Sequence, residues 1–296
     1  MSEKIRKYGF EILMVFPAFS YLLGFFIIII AYLLKLSFTS LSENYQTLFP
    51  VLCNYREIFS NPDFFTALRN TSLFMLAGTP VELFAGLFLA ILINRSFRGR
   101  GLVRSAFIIP LAVPAIVTAI IIYILSDYPA GHINSFLTGK YFGMPEILDA
   151  PVKWRGSTAT SLGISLLGKV WRDTPICMLI LLAGLSSIDE DQYKAAETMG
   201  AGHIRMFFLI TLPNLMPSIF TVLVMRSIEM WKEFIFPYVL APSDYMLGTL
   251  IENLYHDWRN PYQASVVAVI MVVCIILTIL ILNFSVKLVR KNLVRL

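Results

Sequence analysis

"KAAETMGAGHIRMFFLITLPNLMP" runs from Lys194 to Pro217, between two long apolar segments. Its first half is polar, Gly200 and Gly202 sit close together, and apolar character returns through Pro213 and Pro217. Asp189, Glu190 and Asp191, just ahead, supply the negative charge that a helix N-terminus favours. Tyr193 to Met199 has room for about two helical turns. Gly200 then permits a left-handed break, and a second helix carries Ile204, Phe207, Phe208 and Ile210. The two prolines are expected to mark a bend into the next apolar segment. A short two-helix lever with apolar knobs is a docking element for another protein. A plain interfacial turn explains neither the Ala195–Ala196 pair nor the break-and-bend layout.

The surroundings are those of a membrane protein. Of 296 residues, 57% are hydrophobic and 15% charged, with mean hydropathy +0.72, whereas a soluble domain is about a quarter charged. Ile12–Leu34 and Asn260–Val286 contain no charge, and each exceeds the ~20 helical residues that cross a bilayer core. Four further segments, near Thr71–Ile93, Ala106–Ser126, Leu166–Leu185 and Met216–Leu240, bring the expectation to six helices in an all-α, polytopic fold. The first segment is longer than a signal-peptide core and lacks a small-residue cleavage site, so it reads as a retained helix.

With the N-terminus inside, the cytoplasmic side collects thirteen Lys and Arg. They are Lys4, Arg6 and Lys7, the four arginines of Asn94–Ser105, Lys194 and Arg205, and Lys287, Arg290, Lys291 and Arg295. The outer side collects six: Arg56, Arg69, Lys140, Lys153, Arg155 and Arg259. This bias puts both termini in the cytoplasm, and the basic ends are placed to meet anionic lipid headgroups. The +5 charge therefore reports topology and gives no support to a nucleic-acid partner. Two outer connections are long. Leu41–Asn70 holds Pro50 and "NPDFF", which suggests a short helix on the membrane surface, and Asp127–Ser165 reads as a loop cap.

"GISLLGKV" (Gly163–Val170) imitates a phosphate-binding loop, but Val170 has no hydroxyl for Mg²⁺ and no strand precedes it. His132, His203 and His256 lie on separate loops without metal-ligand spacing, and Cys53, Cys177 and Cys274 form no framework. No metal, cofactor or catalytic set is expected. Charges within apolar segments are more informative, because lipid penalises them. "MRSIEMWKEFIFPYVL" carries Arg226, Glu229, Lys232 and Glu233, with Arg226, Glu229 and Glu233 on one helical face. Ion pairs of Arg226 with Glu229, and of Glu229 with Lys232, are the plain reading. Glu82 is expected to pack against a polar partner, and Lys169, Arg172 and Asp173 to reach water at the outer interface.

At Lys194–Pro217 the chain resembles the EAA loop of ATP-binding-cassette importer permeases. Ala195–Ala196, Gly200–Ala201 and Ile210-x-Leu212-Pro213 match its pattern, while Lys194 and Met199 stand where acids are usual. "FPAFSYLLGFFIIIIAYLLKLSFT", "VWRDTPICMLILLAGLSSIDEDQYKAAETMGA" and "MRSIEMWKEFIFPYVL" are similar to further segments of carbohydrate-uptake permeases, so the likeness covers essentially the whole chain. It implies a type I importer permease fold: one transmembrane domain, 1–296, with a cytoplasmic coupling loop at 186–213. Tyr193, Lys194, Ala195, Ala196, Met199, Gly200, Ala201, Ile204, Phe207 and Phe208 would meet an ATPase. The implied partners are a second permease, two ATPase subunits that bind ATP and Mg, and an extracytoplasmic solute-binding protein. A small carbohydrate would cross a prokaryotic plasma membrane along Glu229, Trp231, Lys232 and Glu233 of helix five and Ala264 and Ser265 of helix six. Trp231 is turned about 200° from Glu229, which makes it the residue expected to leave the cavity and Glu229 the leading lining group. The competing reading is a secondary, ion-coupled transporter with Glu229, Lys232 and Glu233 as relay.

Overall fold

The computed structural model describes residues 2–41, 47–141 and 145–293. The helices in chain order begin with α1 (Ser2–Ser37), α2 (Cys53–Ser60), α3 (Pro62–Asn94), α4 (Arg100–Ala112), α5 (Ala115–Leu125) and α6 (His132–Leu137). Then come α7 (Thr158–Ser186), α8 (Glu190–Thr198), α9 (His203–Met206), α10 (Leu212–Trp231), α11 (Ile235–Leu240), α12 (Leu247–Glu252) and α13 (Pro261–Leu293). A two-residue antiparallel pair, β1 (Ser40–Leu41) and β2 (Thr47–Leu48), interrupts an otherwise helical chain. Packing divides it into two compact units, residues 1–62 with 251–270, and residues 63–250 with 271–296.

In the first unit, α1 exposes large apolar side chains around its circumference, among them Phe16, Tyr21, Phe25, Ile28 and Tyr32. A helix apolar on all sides is stable only in lipid or against another chain. The polar turn after it is pinned by Asn54, a buried residue whose Nδ2 donates to the carbonyls of Ser37 (3.2 Å) and Thr39 (2.7 Å). The short helix of this connection is α2. "NPDFF" instead opens the 33-residue α3: Pro62 occupies a first-turn position where its missing N–H costs nothing, and Asp63 favours the helix dipole.

The second unit is built on α7. Met178, Leu181 and Leu185 of α7 pack with Ala90 and Ile93 of α3 and with Leu215 and Val222 of α10. A second cluster joins Ile164 of α7 to Ala119 of α5 and Phe236 and Leu240 of α11. Small residues let these helices approach: a Cβ at Gly86 would fall 2.5 Å from the Cβ of Cys177.

Among the described residues, four helices are long and apolar enough to cross a membrane, or five counting one bent pair. Three expected spans differ. Met216–Leu240 is broken, because α10 ends at Trp231 and α11 begins at Ile235. Ala106–Ser126 is not one helix, because α4 and α5 meet at 91°. Pro114 excludes helical geometry from the residue before it, and Val113 is extended at φ −81°, ψ 130°. The expected span Leu166–Leu185 lies in α7, which has 29 residues; Lys169, Arg172 and Asp173 keep it from qualifying on composition.

Candidate functional site

The polar insertion forms a hairpin. Asp189 caps α8 by accepting the N–H of Asp191 (3.0 Å). At the other end Gly200 is left-handed (φ +76°). Its N–H donates to the Glu197 carbonyl (2.9 Å) and that of Ala201 to the Ala196 carbonyl (3.0 Å), the paired bonds of a Schellman cap. The two alanines part company: Ala196 is buried and Ala195 exposed. Tyr193 meets the Thr211 hydroxyl (2.9 Å) and Gln192 the Asn214 amide (3.1 Å), tying α8 to the next helix. Outward point Met199, 80% exposed, Ile204, 78%, and Phe208, 53%, while Phe207 is half-buried. Lys194 is exposed and, among the described residues, paired only with Asp191 (3.0 Å).

The prolines do not interrupt the helix. His203–Trp231 is one helical run, with a π-helical turn at Phe207–Thr211 just ahead of Pro213.

Inside the second unit lies a chain of buried charge (side chains at most 9% exposed apart from Arg172, 23%) that periodicity had not revealed. Arg226 of α10 donates from Nε to Glu82 Oε2 (2.5 Å), from Nη2 to Glu82 Oε1 (3.1 Å), and from Nη2 to Asp173 Oδ2 (2.6 Å). Lys169 joins Asp173 (3.0 Å) to Glu233 (2.5 Å). Arg172 reaches Asp173 (2.5 Å) and donates from Nε to the Val113 carbonyl (3.2 Å), at the α4–α5 bend. Glu233 in turn accepts the N–H of Phe236 (3.1 Å) in the first turn of α11. One charged turn of α7 therefore holds both helix breaks, while Arg226 of α10 neutralises Glu82 of α3.

Several expectations are corrected here. Arg226 pairs with Glu82 and Asp173 and not with Glu229. The shared face of Arg226, Glu229 and Glu233 ends early, because α10 stops at Trp231. Lys169 and Asp173 are buried, and reach one another and their partners instead of water. Glu229 does pair with Lys232 (2.8 Å), with side chains 39% and 51% exposed. Trp231 is buried and donates to the Thr278 hydroxyl (3.0 Å). Of the four helix-five residues, Glu229 and Lys232 face outward and Trp231 and Glu233 inward. Ala264 and Ser265 belong to the first unit, where both are buried beside a groove of about 410 Å³ lined also by Ile28 and Tyr32. Gly163–Val170 is helical throughout, with no phosphate-cradling loop.

The chain thus combines helices long and apolar enough to cross a membrane with a glycine-capped polar hairpin and charge-bound helix breaks. Residues 82–295 match the family described as binding-protein-dependent transport system inner membrane component, and the chain belongs to that family. A trehalose/maltose transport system permease protein of Thermococcus litoralis is 33% identical over 190 residues, 64% of this chain and 62% of that one. A sulfoquinovosyl glycerol transport system permease protein of Agrobacterium fabrum is 35% identical over 188 residues, 64% of this chain and 59% of that one. The match thus spans about three fifths of the length of these two relatives. A probable ABC transporter permease protein of Bacillus subtilis is 32% identical over 257 residues, covering 84% and 81%. The fold is that of a chain in a bacterial alginate ABC transporter solved with an alginate pentasaccharide-bound periplasmic protein: TM-score 0.79, 19% identity, 98% of each chain.

Proposed function

We propose that this chain is a permease subunit of an ATP-driven sugar importer, contributing half of the translocation pathway. Its α8–Gly200–α9 hairpin seats on a separate ATPase chain that binds ATP and Mg. A second permease covers the apolar surface of α1, and a solute-binding protein delivers the sugar from outside. Both termini lie in the cytoplasm, as the basic residues favour. The observation that carries this reading is the hairpin, where a left-handed Gly200 cap sets the turn flanked by exposed Met199, Ile204 and Phe208. Sugar is the solute class favoured by the relatives, and the outward Glu229 and Lys232 offer the polar groups that hydroxyls need. The test is uptake by the reconstituted complex against a panel of sugars, with and without ATP. Accumulation driven by an ion gradient without ATP would overturn the reading in favour of a secondary transporter.

Glu229→Gln removes only a half-exposed pair with Lys232, the kind that contributes about 0.3–0.5 kcal/mol. The complex should assemble and keep its basal ATP hydrolysis, while uptake rate or sugar preference changes. Unchanged transport of every sugar would take Glu229 off the path. Lys194→Glu should weaken association with the ATPase, most at low salt, because screening fades there. Equal complex yield at low and high salt would mean that the side chain meets only solvent.

A further inference from the structure

At the end of α10 next to the hairpin, a groove of about 300 Å³ separates α10 from α13. The rings of Pro213 and Pro217 form one wall, above Met216 and Phe220. The other wall presents Asn283 and Lys287, one helical turn apart and so stacked on one face. Met216 is buried at the floor and Lys287 exposed at the mouth. Among the described residues Lys287 enters no ion pair. Two turns back on the same face of α13, Ile276 and Leu280 are exposed and continue the groove as an apolar surface, and the sequence adds Arg290, Lys291 and Arg295 just beyond Lys287.

We propose that this groove binds an anionic phospholipid. Its phosphate lies between the Lys287 ammonium and the Asn283 amide, its glycerol enters over Met216 and Phe220, and its acyl chains follow the apolar side of α13. The volume is at the lower end of small-ligand pockets, about 300–1,000 Å³, which suits a headgroup and glycerol but not a whole lipid. A free anion would leave the apolar floor unfilled, and a neutral lipid would leave Lys287 without a counter-charge. Basic pockets between membrane helices on the cytoplasmic side are suited to such headgroups. The groove faces the inner leaflet only if the importer orientation holds, so the inference rests on that reading. Pro213 lies two residues beyond the π-helical turn, so the occupant sits at the root of the hairpin.

The test is native mass spectrometry of the assembled importer, taken from vesicles of phosphatidylcholine and phosphatidylglycerol in equal amounts. Retained phosphatidylglycerol should fall by at least about fivefold in Lys287→Glu, the effect of losing one basic residue near an anionic surface with the repulsion of a new carboxylate added, and persist in Lys287→Arg. Val286→Trp, which fills the groove without changing charge, should also lose it. Equal retention in Lys287→Glu and the parent, or displacement by inorganic phosphate, would overturn the proposal. So would a photo-crosslinker at Phe220 that captures the partner permease. ATP-dependent uptake by the parent complex separately tests the importer reading, so failure of one is distinguishable from failure of the other.

Discussion

Gly200→Val is expected to reduce ATP-coupled uptake by about tenfold or more, the factor that roughly 1.4 kcal/mol makes in an equilibrium. Gly200 sits at φ +76°, where an ordinary L-residue costs roughly 1–2 kcal/mol and a β-branched one is a genuine outlier. Nothing lies within 4 Å of an added Cβ, so the whole cost is in the backbone. The chain can relieve it only by unwinding the cap, losing the bonds from Gly200 to Glu197 and from Ala201 to Ala196, and re-aiming Met199 and Ile204. Gly200→Asn, which tolerates the left-handed region, should retain most uptake. The measurement is sugar accumulation and ATP hydrolysis in the same reconstituted vesicles. Hydrolysis without uptake, or loss of the ATPase from the complex, supports coupling through the hairpin; full uptake by the valine variant would remove that assignment.

The hairpin is legible in sequence because its determinants are local. An acidic helix start, a glycine at the end and exposed apolar residues beyond are each set within a few positions. The buried charges are not local: Arg226 and Glu82 are 144 positions apart, and Arg226 and Asp173 are 53 apart. Helical periodicity relates neighbours on one helix, and it is silent about which neighbouring helix that face meets. Arg226 and Glu229 therefore looked like partners by spacing, while the rotation of α10 turned Arg226 toward α3 and α7. Hydropathy marks Leu166–Leu185 as a span but misplaces its charges for a related reason. It counts Lys169, Arg172 and Asp173 as lipid-incompatible, although contacts from other helices neutralise them. The bend at Val113–Pro114 carried a legible signal, a proline in an apolar run, that an averaging window passes over.

Arg226→Met is expected to destabilise the folded chain by about 3–5 kcal/mol, the cost of breaking a buried ion pair from one side. Six groups meet in this network: Glu82, Asp173 and Glu233 against Lys169, Arg172 and Arg226. Their charges balance at zero, so removing Arg226 leaves a buried excess of one negative charge. Glu82 also loses its only ion-pair partner among the described residues. Arg226→Lys should be intermediate, because a lysine is a point charge without the planar fork that serves Glu82 and Asp173 together. The decisive variant is Arg226→Met combined with Glu82→Gln, which restores the balance of two acids and two bases while keeping similar volumes. It should recover much of the stability lost by Arg226→Met alone, measured as thermal retention of the monodisperse chain in detergent. If the double variant is no more stable than the single one, the loss comes from packing around the guanidinium, and charge balance is not what holds α3, α7 and α10 together.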